Sequence, residues 1–137
     1  MKQKDKELIF ATNQKKEFIL LTLQIENFVS ESKIKEGFCL INSLHATGAI
    51  IINENEEGLK EDILNSLTKL FPDDINYKHN IHDNNASAHI ASILLGQNQT
   101  LIIRNGRLQR GTWQDIFFLE LDGPRQGRKV LLKIIGD

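Results

Sequence analysis

The feature that most constrains the fold of this 137-residue chain is a series of three apolar segments in its last third. They cover Thr100–Arg104, Thr112–Leu121 and Lys129–Ile135, and the turn sequences Asn105-Gly106 and Asp122-Gly123-Pro124 separate them. Short apolar segments bounded by glycine, proline, asparagine and aspartate are typical of antiparallel strands. The pattern therefore predicts three strands joined by short turns.

Strand-like segments also occur in the first half of the chain. Leu8–Thr12 and Phe18–Leu23 flank the polar stretch Asn13–Lys16, which predicts a hairpin connection. Phe38–Asn53 is apolar and β-branched, and it contains Gly48. It is predicted to form one long strand with a bulge, or two shorter strands.

Helical spacing of apolar residues indicates two or three helices in the middle of the chain. Ile25, Phe28 and Val29 fall on one helical face, and a stripe of leucines and isoleucine runs through Glu57–Phe71 until Pro72 stops it. These helices lie between strand segments and do not alternate regularly with them. The pattern favours a mainly antiparallel α+β domain over a parallel α/β sheet.

A loop and a further short helix follow. Asp73–Asn84 is polar and is predicted to be a loop. Ala86–Leu95 is predicted to be helical, with Asn84 or Asn85 as its amino-terminal cap and Gly96 as its terminator.

Composition limits the class of protein. Seventeen basic and eighteen acidic residues give a net charge of -1, which argues against general nucleic-acid binding, and 137 residues suit one domain covering positions 1–137. The single cysteine, Cys39, lies between Phe38 and Leu40 and is interpreted as a buried hydrophobe. No apolar segment is long enough for a signal peptide or a membrane span, so no membrane association and a cytoplasmic location are expected.

Histidines are the main candidates for chemistry. His45 interrupts an apolar segment, whereas His79, His82 and His89 lie in one loop and the helix after it. If His45, His79 and His89 converge, they can hold a divalent metal such as Zn²⁺ or Mg²⁺, with one position left open. They can equally hold a phosphate, or form a hydrogen-bonded cluster at a subunit interface. Spacing alone does not choose among these three interpretations.

Polar residues near the ends of the predicted strands are further candidates. Thr47 and the pair Asn53 and Asn55 gather polar groups beside the His45 segment. Asp83 and Glu54 are the best-placed acids for a metal ion or for proton transfer, although the same residues suit helix capping or solubility.

A tryptophan and a basic cluster occur in the last third. Trp113, the only tryptophan, lies beside Gln114 and suits either a hairpin corner with an inward ring or the mouth of a pocket. Arg125, Arg128 and Lys129 follow the Asp122-Gly123-Pro124 turn and form either an anion clamp or a solvated turn. The P-loop, G-x-G-x-x-G, G-x-S-x-G, C-x-x-C and H-E-x-x-H motifs are absent, which removes the most familiar nucleotide, hydrolase and protease classes.

Taken together, these segments resemble the YjbQ family of small bacterial and archaeal proteins, over nearly the whole chain. The segments that carry the resemblance are Leu44-His45-Ala46-Thr47, Asn53-Glu54-Asn55, Tyr77-Lys78-His79-Asn80, Ala88-His89-Ile90, Leu95-Gly96, Gly106 followed by Gly111-Thr112-Trp113-Gln114, and Asp122-Gly123-Pro124-Arg125. The resemblance implies an α+β fold with twisted antiparallel sheets in a sandwich-like arrangement, and an assembly of three subunits.

The resemblance also implies a site. Its pocket lies near a subunit boundary, with His45, His79 and His89 as catalytic or metal-binding residues and His82 outside it. Where relatives often carry an acid, this chain has Asn84-Asn85, which leaves Asp83 as the nearby catalytic carboxylate. The residues assigned to substrate binding are Thr47, Asn53, Asn55, Trp113, Gln114, Arg125 and Lys129.

The resemblance associates the chain with a weak thiamine-phosphate synthase activity. That reaction joins a pyrimidine diphosphate to a thiazole phosphate and releases pyrophosphate, so it needs cationic groups for the leaving group and an aromatic wall for the pyrimidine. Two other classes stay open. One is a non-catalytic ligand-binding or assembly protein with structural histidines, and the other is a metal-dependent hydrolase.

Overall fold

The computed structural model describes all residues from Met1 to Asp137 and contains eight strands and three helices. The strands are β1 (Lys2–Thr12), β2 (Glu17–Leu20), β3 (Gly37–Ser43), β4 (Gly48–Asn53), β5 (Asn98–Arg104), β6 (Arg107–Leu108), β7 (Asp115–Glu120) and β8 (Arg125–Gly136). The helices are α1 (Thr22–Ser32), α2 (Glu57–Leu70) and α3 (Ala86–Leu95), and a 3₁₀ turn covers Lys78–Ile81.

The strands form two antiparallel sheets, which confirms the α+β fold class. The larger sheet has the order β1-β8-β3-β5-β6, and the smaller has the order β2-β7-β4. Buried side chains of both sheets meet in one core, for example Ile41 of β3 with Ile50 of β4 and Phe118 of β7. Helix α1 adds Ile25, Phe28 and Val29 to this core, whereas α2 and α3 cover the other face of the smaller sheet.

The predicted hairpin between the first two strands is wrong. Strand β1 pairs with β8, whereas β2 pairs with β7 in the other sheet. The Glu17 carboxylate accepts hydrogen bonds from the backbone N–H groups of Asn13 and Gln14, at 2.8 and 3.1 Å, and so fixes the connection that carries the chain between sheets. The segment predicted as one or two strands forms two, β3 and β4, and these also belong to different sheets.

The last third of the chain follows the prediction only in part. Asn105 and Gly106, at φ values of 53° and 74°, form the expected two-residue turn, but it joins β5 to the short β6. The strand expected from Thr112 begins at Asp115 instead, because the preceding residues form a turn. Strand β8 begins four residues earlier than expected, at Arg125, and runs to Gly136.

The connection between β7 and β8 crosses from one sheet to the other through Asp122-Gly123-Pro124. A Cβ on Gly123 would lie 2.1 Å from the carbonyl oxygen of Gln14, so only glycine fits where the two connections cross. Gly123 also donates its N–H to the carbonyl of Lys15 at 2.9 Å. This crossing holds the start of β8 against the smaller sheet, next to the candidate site.

Cys39 is buried in the core, as predicted, and burial raises the pKa of its thiol to about 12. No helix in the structure combines the length and apolar character that a membrane crossing requires. Gly96 ends α3 with a φ of 101°, in agreement with its predicted role as terminator.

Candidate functional site

The amino-terminal end of α3 is joined to two other segments by a chain of side-chain hydrogen bonds. Asn85 donates through Nδ2 to Asp122 Oδ2 at 2.8 Å, and its Oδ1 lies 2.9 Å from His79 Nε2. Because the Asn85 amide nitrogen faces Asp122, its oxygen must accept, so His79 Nε2 carries a proton. Of the two residues predicted to cap α3, Asn84 or Asn85, Asn85 occupies the N-cap position, but its side chain makes no capping hydrogen bond. Asn80 Oδ1 accepts from the Ala86 N–H at 3.1 Å, and the Asn85 side chain bridges His79 and Asp122.

Arg125 continues this chain of contacts. Its Nη2 and Nε donate to Asp122 Oδ2 and to the Asp122 carbonyl oxygen, at 2.8 and 2.9 Å. His79, Asn85, Asp122 and Arg125 therefore form one continuous network across the 3₁₀ turn, the start of α3 and the β7–β8 connection. Of the predicted substrate-binding residues, Arg125 is linked to His79 through Asp122 and Asn85, whereas Lys129 contacts His45 through its backbone N–H and directs its ammonium towards Glu7 at 4.0 Å.

Two of the predicted histidines lie together. The ring centroids of His79 and His89 are 4.8 Å apart with an interplanar angle of 77°, and His82 is farther from His79 at 6.5 Å. His79 and His89 line an open depression of about 380 Å³, here called the histidine depression. Its lining residues are Tyr77, Lys78, His79, Ala86, His89 and Ile90.

His45 belongs to a different set of contacts. Its Nε2 accepts the backbone N–H of Lys129 at 2.8 Å, and its ring lies edge-on to Phe118 with centroids 6.3 Å apart. Burial, and then the Arg128 guanidinium, lower the pKa of His45 below its ordinary value of 6.5. Because Nε2 accepts the backbone N–H, the ring carries its proton on Nδ1, and Nε2 is not available to a ligand.

Sequence reasoning missed the strongest polar contact beside the site, a buried ion pair between Glu120 and Arg128. Glu120 accepts from Arg128 Nε at 2.8 Å, from Arg128 Nη2 and from Thr12 Oγ1 at 2.7 Å. Arg128 Nη2 also donates to Thr47 Oγ1 at 3.0 Å, and its guanidinium lies 5.6 Å from the Phe118 ring centroid. The signal was present: Glu120 is the one charged residue in an otherwise apolar stretch from Ile116 to Leu121.

Opposing effects set the pKa of Glu120. Burial alone would raise it, but hydrogen bonds from Arg128 and Thr12 and the charge of Arg128 outweigh burial, so the pKa is lowered. The pair is thus charged, both carboxylate oxygens of Glu120 accept hydrogen bonds from Arg128, and the pair fixes β8 against the end of β7. Thr47, which was assigned to substrate binding, is buried and already bonded to Arg128.

Four other predicted binding residues lie at the opposite end of the smaller sheet. In the β4–β7 pairing, Gly48 faces Glu120 and Asn53 faces Asp115, so the two ends are separated by roughly 17 Å at about 3.3 Å per residue. At the end formed by Asn53 and Asp115, Asn53 is the last residue of β4 and Asn55 follows it, whereas Trp113 and Gln114 precede β7. None of these residues lines the histidine depression.

The tryptophan loop has a defined conformation. Gln114 Oε1 accepts the Gly111 N–H at 2.7 Å, and Arg110 Nη1 donates to the Gln114 carbonyl at 2.8 Å. Gln114 therefore shapes the turn, while Trp113 stays 71% exposed. The interpretation of Trp113 as a corner residue with an inward-packed ring is wrong.

Within one chain, no group of three or more histidine, cysteine or acidic side chains is arranged to hold a metal ion. His79 and His89 supply two imidazoles, His45 is bonded elsewhere, and the exposed Asp83 does not line the depression. Asp122, the acid within the network, uses Oδ2 for both Asn85 and Arg125. The donor set of a single chain therefore does not fit Zn²⁺, which needs at least three protein ligands, or the carboxylate-rich environment of Mg²⁺.

The fold and the site define a small α+β protein that holds two imidazoles and an arginine–aspartate pair at one end of a three-stranded sheet. The family described as UPF0047 protein YjbQ-like matches residues 6–137, and the chain belongs to it. This match confirms the resemblance to the YjbQ family that the sequence motifs indicated.

Relatives support the assignment along the whole chain. A UPF0047 protein of Methanocaldococcus jannaschii is 46% identical over 127 residues, which are 92% of this chain and 90% of the relative. The Bacillus subtilis UPF0047 protein YugU is 38% identical over 135 residues, 96% of this chain and 98% of its own.

Solved structures agree with the fold. A crystal structure of a protein of unknown function from Sulfolobus solfataricus is 41% identical, with a TM-score of 0.98 and 99% of each chain covered. A family member from Clostridium acetobutylicum is 42% identical, with a TM-score of 0.90, and the match covers 95% of this chain and 99% of that one.

Proposed function

We propose that this protein is an enzyme-like protein that binds the phosphate group of a small phosphorylated molecule in the histidine depression. We further propose that thiamine-phosphate synthesis is a weak activity of this site and that the protein acts as a homotrimer. The observation that carries the proposal is the close pair of imidazoles, His79 and His89, beside a depression with no carboxylate in its lining.

The charges around the depression favour an anion. Lys78 lines it together with the two imidazoles. His89 can donate to a phosphate oxygen, whereas His79, whose Nε2–H is bonded to Asn85, can donate through Nδ1 only as an imidazolium. Asp122, the carboxylate linked to His79 through Asn85, is neutralised by Arg125 at 2.8 Å. The site therefore offers several donors to an anion and little repulsion.

Arg125 is suited to meet the same anion. Its Nε and Nη2 donate to Asp122, which leaves Nη1 for a ligand oxygen while Asp122 fixes the plane of the guanidinium. In the proposed reaction, His79, His89, Lys78 and Arg125 stabilise charge on the departing pyrophosphate. No acid positioned for general catalysis lines the depression, which agrees with a weak activity.

Alanine substitutions of His79 and His89 test the proposal. We expect each to weaken binding of thiamine phosphate at least tenfold, since a charge-assisted hydrogen bond contributes about 1.5–3 kcal/mol. Binding is measured by isothermal titration calorimetry, and synthesis from the two phosphorylated precursors is measured in parallel. His82→Ala is the control, because His82 lies outside the depression. Unchanged affinity and unchanged synthesis in both variants would refute the assignment.

A second candidate function is assembly without catalysis, with structural histidines. It is favoured by His45, whose ring accepts a backbone N–H, and by the exposed apolar face of α3, where Ile93 and Leu94 are 76% and 69% exposed. This candidate predicts that His79→Ala or His89→Ala lowers the molar mass measured by light scattering without any ligand present. Retention of the assembly with loss of thiamine phosphate binding would favour the first function.

The metal-dependent hydrolase and the metal site of His45, His79 and His89 stay predictions. They require ligands beyond those that one chain brings together. Loss of phosphate-ester hydrolysis after treatment with a chelator, and its return with added Zn²⁺, is the result that they predict.

A further inference from the structure

A buried threonine links the start of β8 to the carboxylate of Glu120. Thr12, the last residue of β1, is 2% exposed, and its hydroxyl donates to Glu120 Oε1 at 2.7 Å. The same hydroxyl accepts the backbone N–H of Arg125 at 2.9 Å. The register of β1 against β8 shifts before Thr12, and after the shift Thr12 lies opposite Arg125. One buried side chain therefore connects Glu120 to the arginine that belongs to the histidine network.

Chemistry fixes the direction of both hydrogen bonds of the Thr12 hydroxyl. A backbone N–H can only donate, and an ionised carboxylate can only accept. Although burial opposes ionisation, hydrogen bonds from Arg128 and Thr12 lower the pKa of Glu120, so this carboxyl group is ionised at neutral pH. The hydroxyl proton of Thr12 therefore points to Glu120, and its oxygen is left to accept from Arg125. A hydrogen bond to an ionised acceptor is stronger than one between neutral groups.

The same carboxylate also holds Asp122, the partner of Arg125. Glu120 Oε2 accepts the backbone N–H groups of Leu121 and Asp122, at 3.1 and 3.2 Å. Asp122 in turn accepts from Arg125 Nη2 at 2.8 Å and, through its carbonyl oxygen, from Arg125 Nε at 2.9 Å. Glu120 thus fixes the backbone of both members of the exposed pair, directly for Asp122 and through Thr12 for Arg125.

The connection between β7 and β8 packs tightly against Thr12. A Cβ on Gly123 would lie 3.0 Å from Thr12 Oγ1 and 2.9 Å from Glu120 Cγ, so the backbone of the connection is in direct contact with both side chains. All buried side-chain nitrogen and oxygen atoms have hydrogen-bond partners. Water therefore cannot replace the Thr12 hydroxyl unless the connection moves, and removal of the hydroxyl is expected to alter the position of Arg125.

We propose that Thr12, anchored on Glu120, is a positioning residue for the anion site. It holds the backbone of Arg125 in the place from which the guanidinium, with its plane fixed by Asp122, meets the phosphate of a ligand in the histidine depression. A donor that is already in position loses little conformational freedom when the ligand binds, so more of its interaction appears as affinity. The proposal rests on the proposed function for the ligand, whereas the position of Arg125 is measurable without one.

Two substitutions separate the hydroxyl of Thr12 from its volume. Thr12→Val removes the hydroxyl and keeps the shape, whereas Thr12→Ser keeps the hydroxyl. We expect Thr12→Val to weaken binding of thiamine phosphate roughly three- to tenfold, as for the loss of one well-placed hydrogen bond, and Thr12→Ser to bind within about twofold of the wild type. Isothermal titration calorimetry measures the affinities. Equal affinity of the wild type and Thr12→Val would contradict the proposal.

Thr22 offers a matched control at the other end of β7. It is 5% exposed, donates to Asp115 at 2.7 Å and accepts the backbone N–H of Ile116 at 2.9 Å, so it has the same kinds of partner as Thr12. Thr22→Val is expected to lower the free energy of unfolding about as much as Thr12→Val, but to leave the affinity for thiamine phosphate unchanged. Equal losses of affinity in the two variants would indicate general destabilisation and overturn the positioning role.

A double-mutant cycle with Arg125→Ala tests whether Thr12 acts through the arginine. In the Arg125→Ala background, Thr12→Val should have no further effect on the affinity for thiamine phosphate, because the group that Thr12 positions is gone. If Thr12→Val weakens binding by the same factor in both backgrounds, Thr12 does not act through Arg125 and the proposal is wrong.

Nuclear magnetic resonance of isotope-labelled protein tests the position of Arg125 without a ligand. The Arg125 Nε–H signal is identified by its loss in Arg125→Ala, and its exchange with water reports the hydrogen bond to the Asp122 carbonyl. We expect slow exchange in the wild type and in Thr12→Ser, and faster exchange in Thr12→Val. An exchange rate that Thr12→Val does not change overturns the proposal. If the wild type binds no thiamine phosphate but the exchange rate responds to Thr12→Val, the proposed function fails and the positioning of Arg125 by Thr12 stands.

Discussion

Two arginine–carboxylate pairs, Arg128–Glu120 and Arg125–Asp122, lie in the segment 120–128 and differ mainly in burial. Arg128 and Glu120 are almost completely enclosed, whereas Arg125 is half exposed beside Asp122. Both arginines donate through Nε and Nη2, but the Arg128 side chain is 6% exposed and that of Arg125 is 49% exposed, so Arg125 is the one that a ligand can reach. The buried pair Arg128–Glu120 therefore stabilises the fold, whereas the exposed Arg125, paired with Asp122, is available to a ligand.

Exposure to solvent explains why losing one member of each pair has a different effect on stability. Removing one member of a buried pair leaves an uncompensated charge without water around it, which is strongly destabilising. An exposed pair exchanges its partner for water at little cost, so it contributes little to stability and its arginine can be used for binding. Substitutions of the two arginines test this difference, and substitutions of the neighbouring Asn85 and His45 sharpen it.

Arg128→Met is expected to have the largest effect, lowering the free energy of unfolding by about 3–5 kcal/mol, because it leaves Glu120 buried and unpaired. Urea unfolding followed by circular dichroism measures it. The double variant Arg128→Met with Glu120→Leu is the control and is expected to recover part of the loss, since no charge then stays buried. A loss of less than about 1 kcal/mol for the single variant would contradict the structural role of the pair.

Arg125→Ala is expected to change the unfolding free energy by less than about 1 kcal/mol. Its effect should fall on binding instead, with the affinity for thiamine phosphate reduced roughly 10- to 100-fold, as expected for the loss of a charge-assisted contact. Urea unfolding and calorimetric titration measure the two quantities. If stability falls strongly and affinity does not, the two arginines do not divide their roles as proposed.

Asn85→Leu breaks the link between His79 and Asp122. We expect a loss of about 1 kcal/mol in unfolding free energy, because two hydrogen bonds at a partly buried position disappear. Affinity for thiamine phosphate should fall as well, since His79 loses its fixed tautomer. Asn84→Leu is the matched control, because the exposed Asn84 makes no side-chain hydrogen bond. Equal effects of both variants would show that the bridge contributes nothing specific.

His45 gives the smallest expected effect, on the pH dependence of stability. Because its pKa is lowered in the folded state, the unfolded chain binds the proton more tightly, and stability falls as the pH drops below about 6.5. His45→Gln keeps an acceptor for the Lys129 N–H but does not titrate, so its stability should be flatter in this window. Urea unfolding at several pH values measures both proteins, and identical slopes would contradict the assignment.

Local patterns in the sequence predicted most elements, and they failed where partners are distant. The helical stripe in Glu57–Phe71 and the terminator Gly96 identified α2 and α3 almost to the residue. Strands β1 and β2 were also predicted, but the pattern of apolar and polar residues in a strand does not show which other strand it pairs with. Glu17 closes the turn between them, and the pairing of β2 with β7 cannot be read from the composition of that turn.

The site was predicted in parts. The histidine pair and Arg125 were recognised as functional candidates, and the structure places them near one another through Asn85. The distance between these residues and Trp113 could not be predicted from the sequence. Trp113 precedes β7 and Arg125 follows it, and only the antiparallel pairing of β4 with β7 shows which other residues lie at each end. The Glu120–Arg128 pair was missed because a basic cluster after a turn is usually solvated.

Strand β8 has a consequence for how the protein is made. It lies between β1 and β3, pairs with both, and is the last of the eight strands to leave the ribosome. Until then β1 has no partner, and the pairing that it awaits joins positions as far apart as Lys2 and Gly136. Until β8 is synthesised, β1 and one edge of β3 therefore lack the strand that they pair with. Folding should be slow, because contacts between residues so distant in sequence form late.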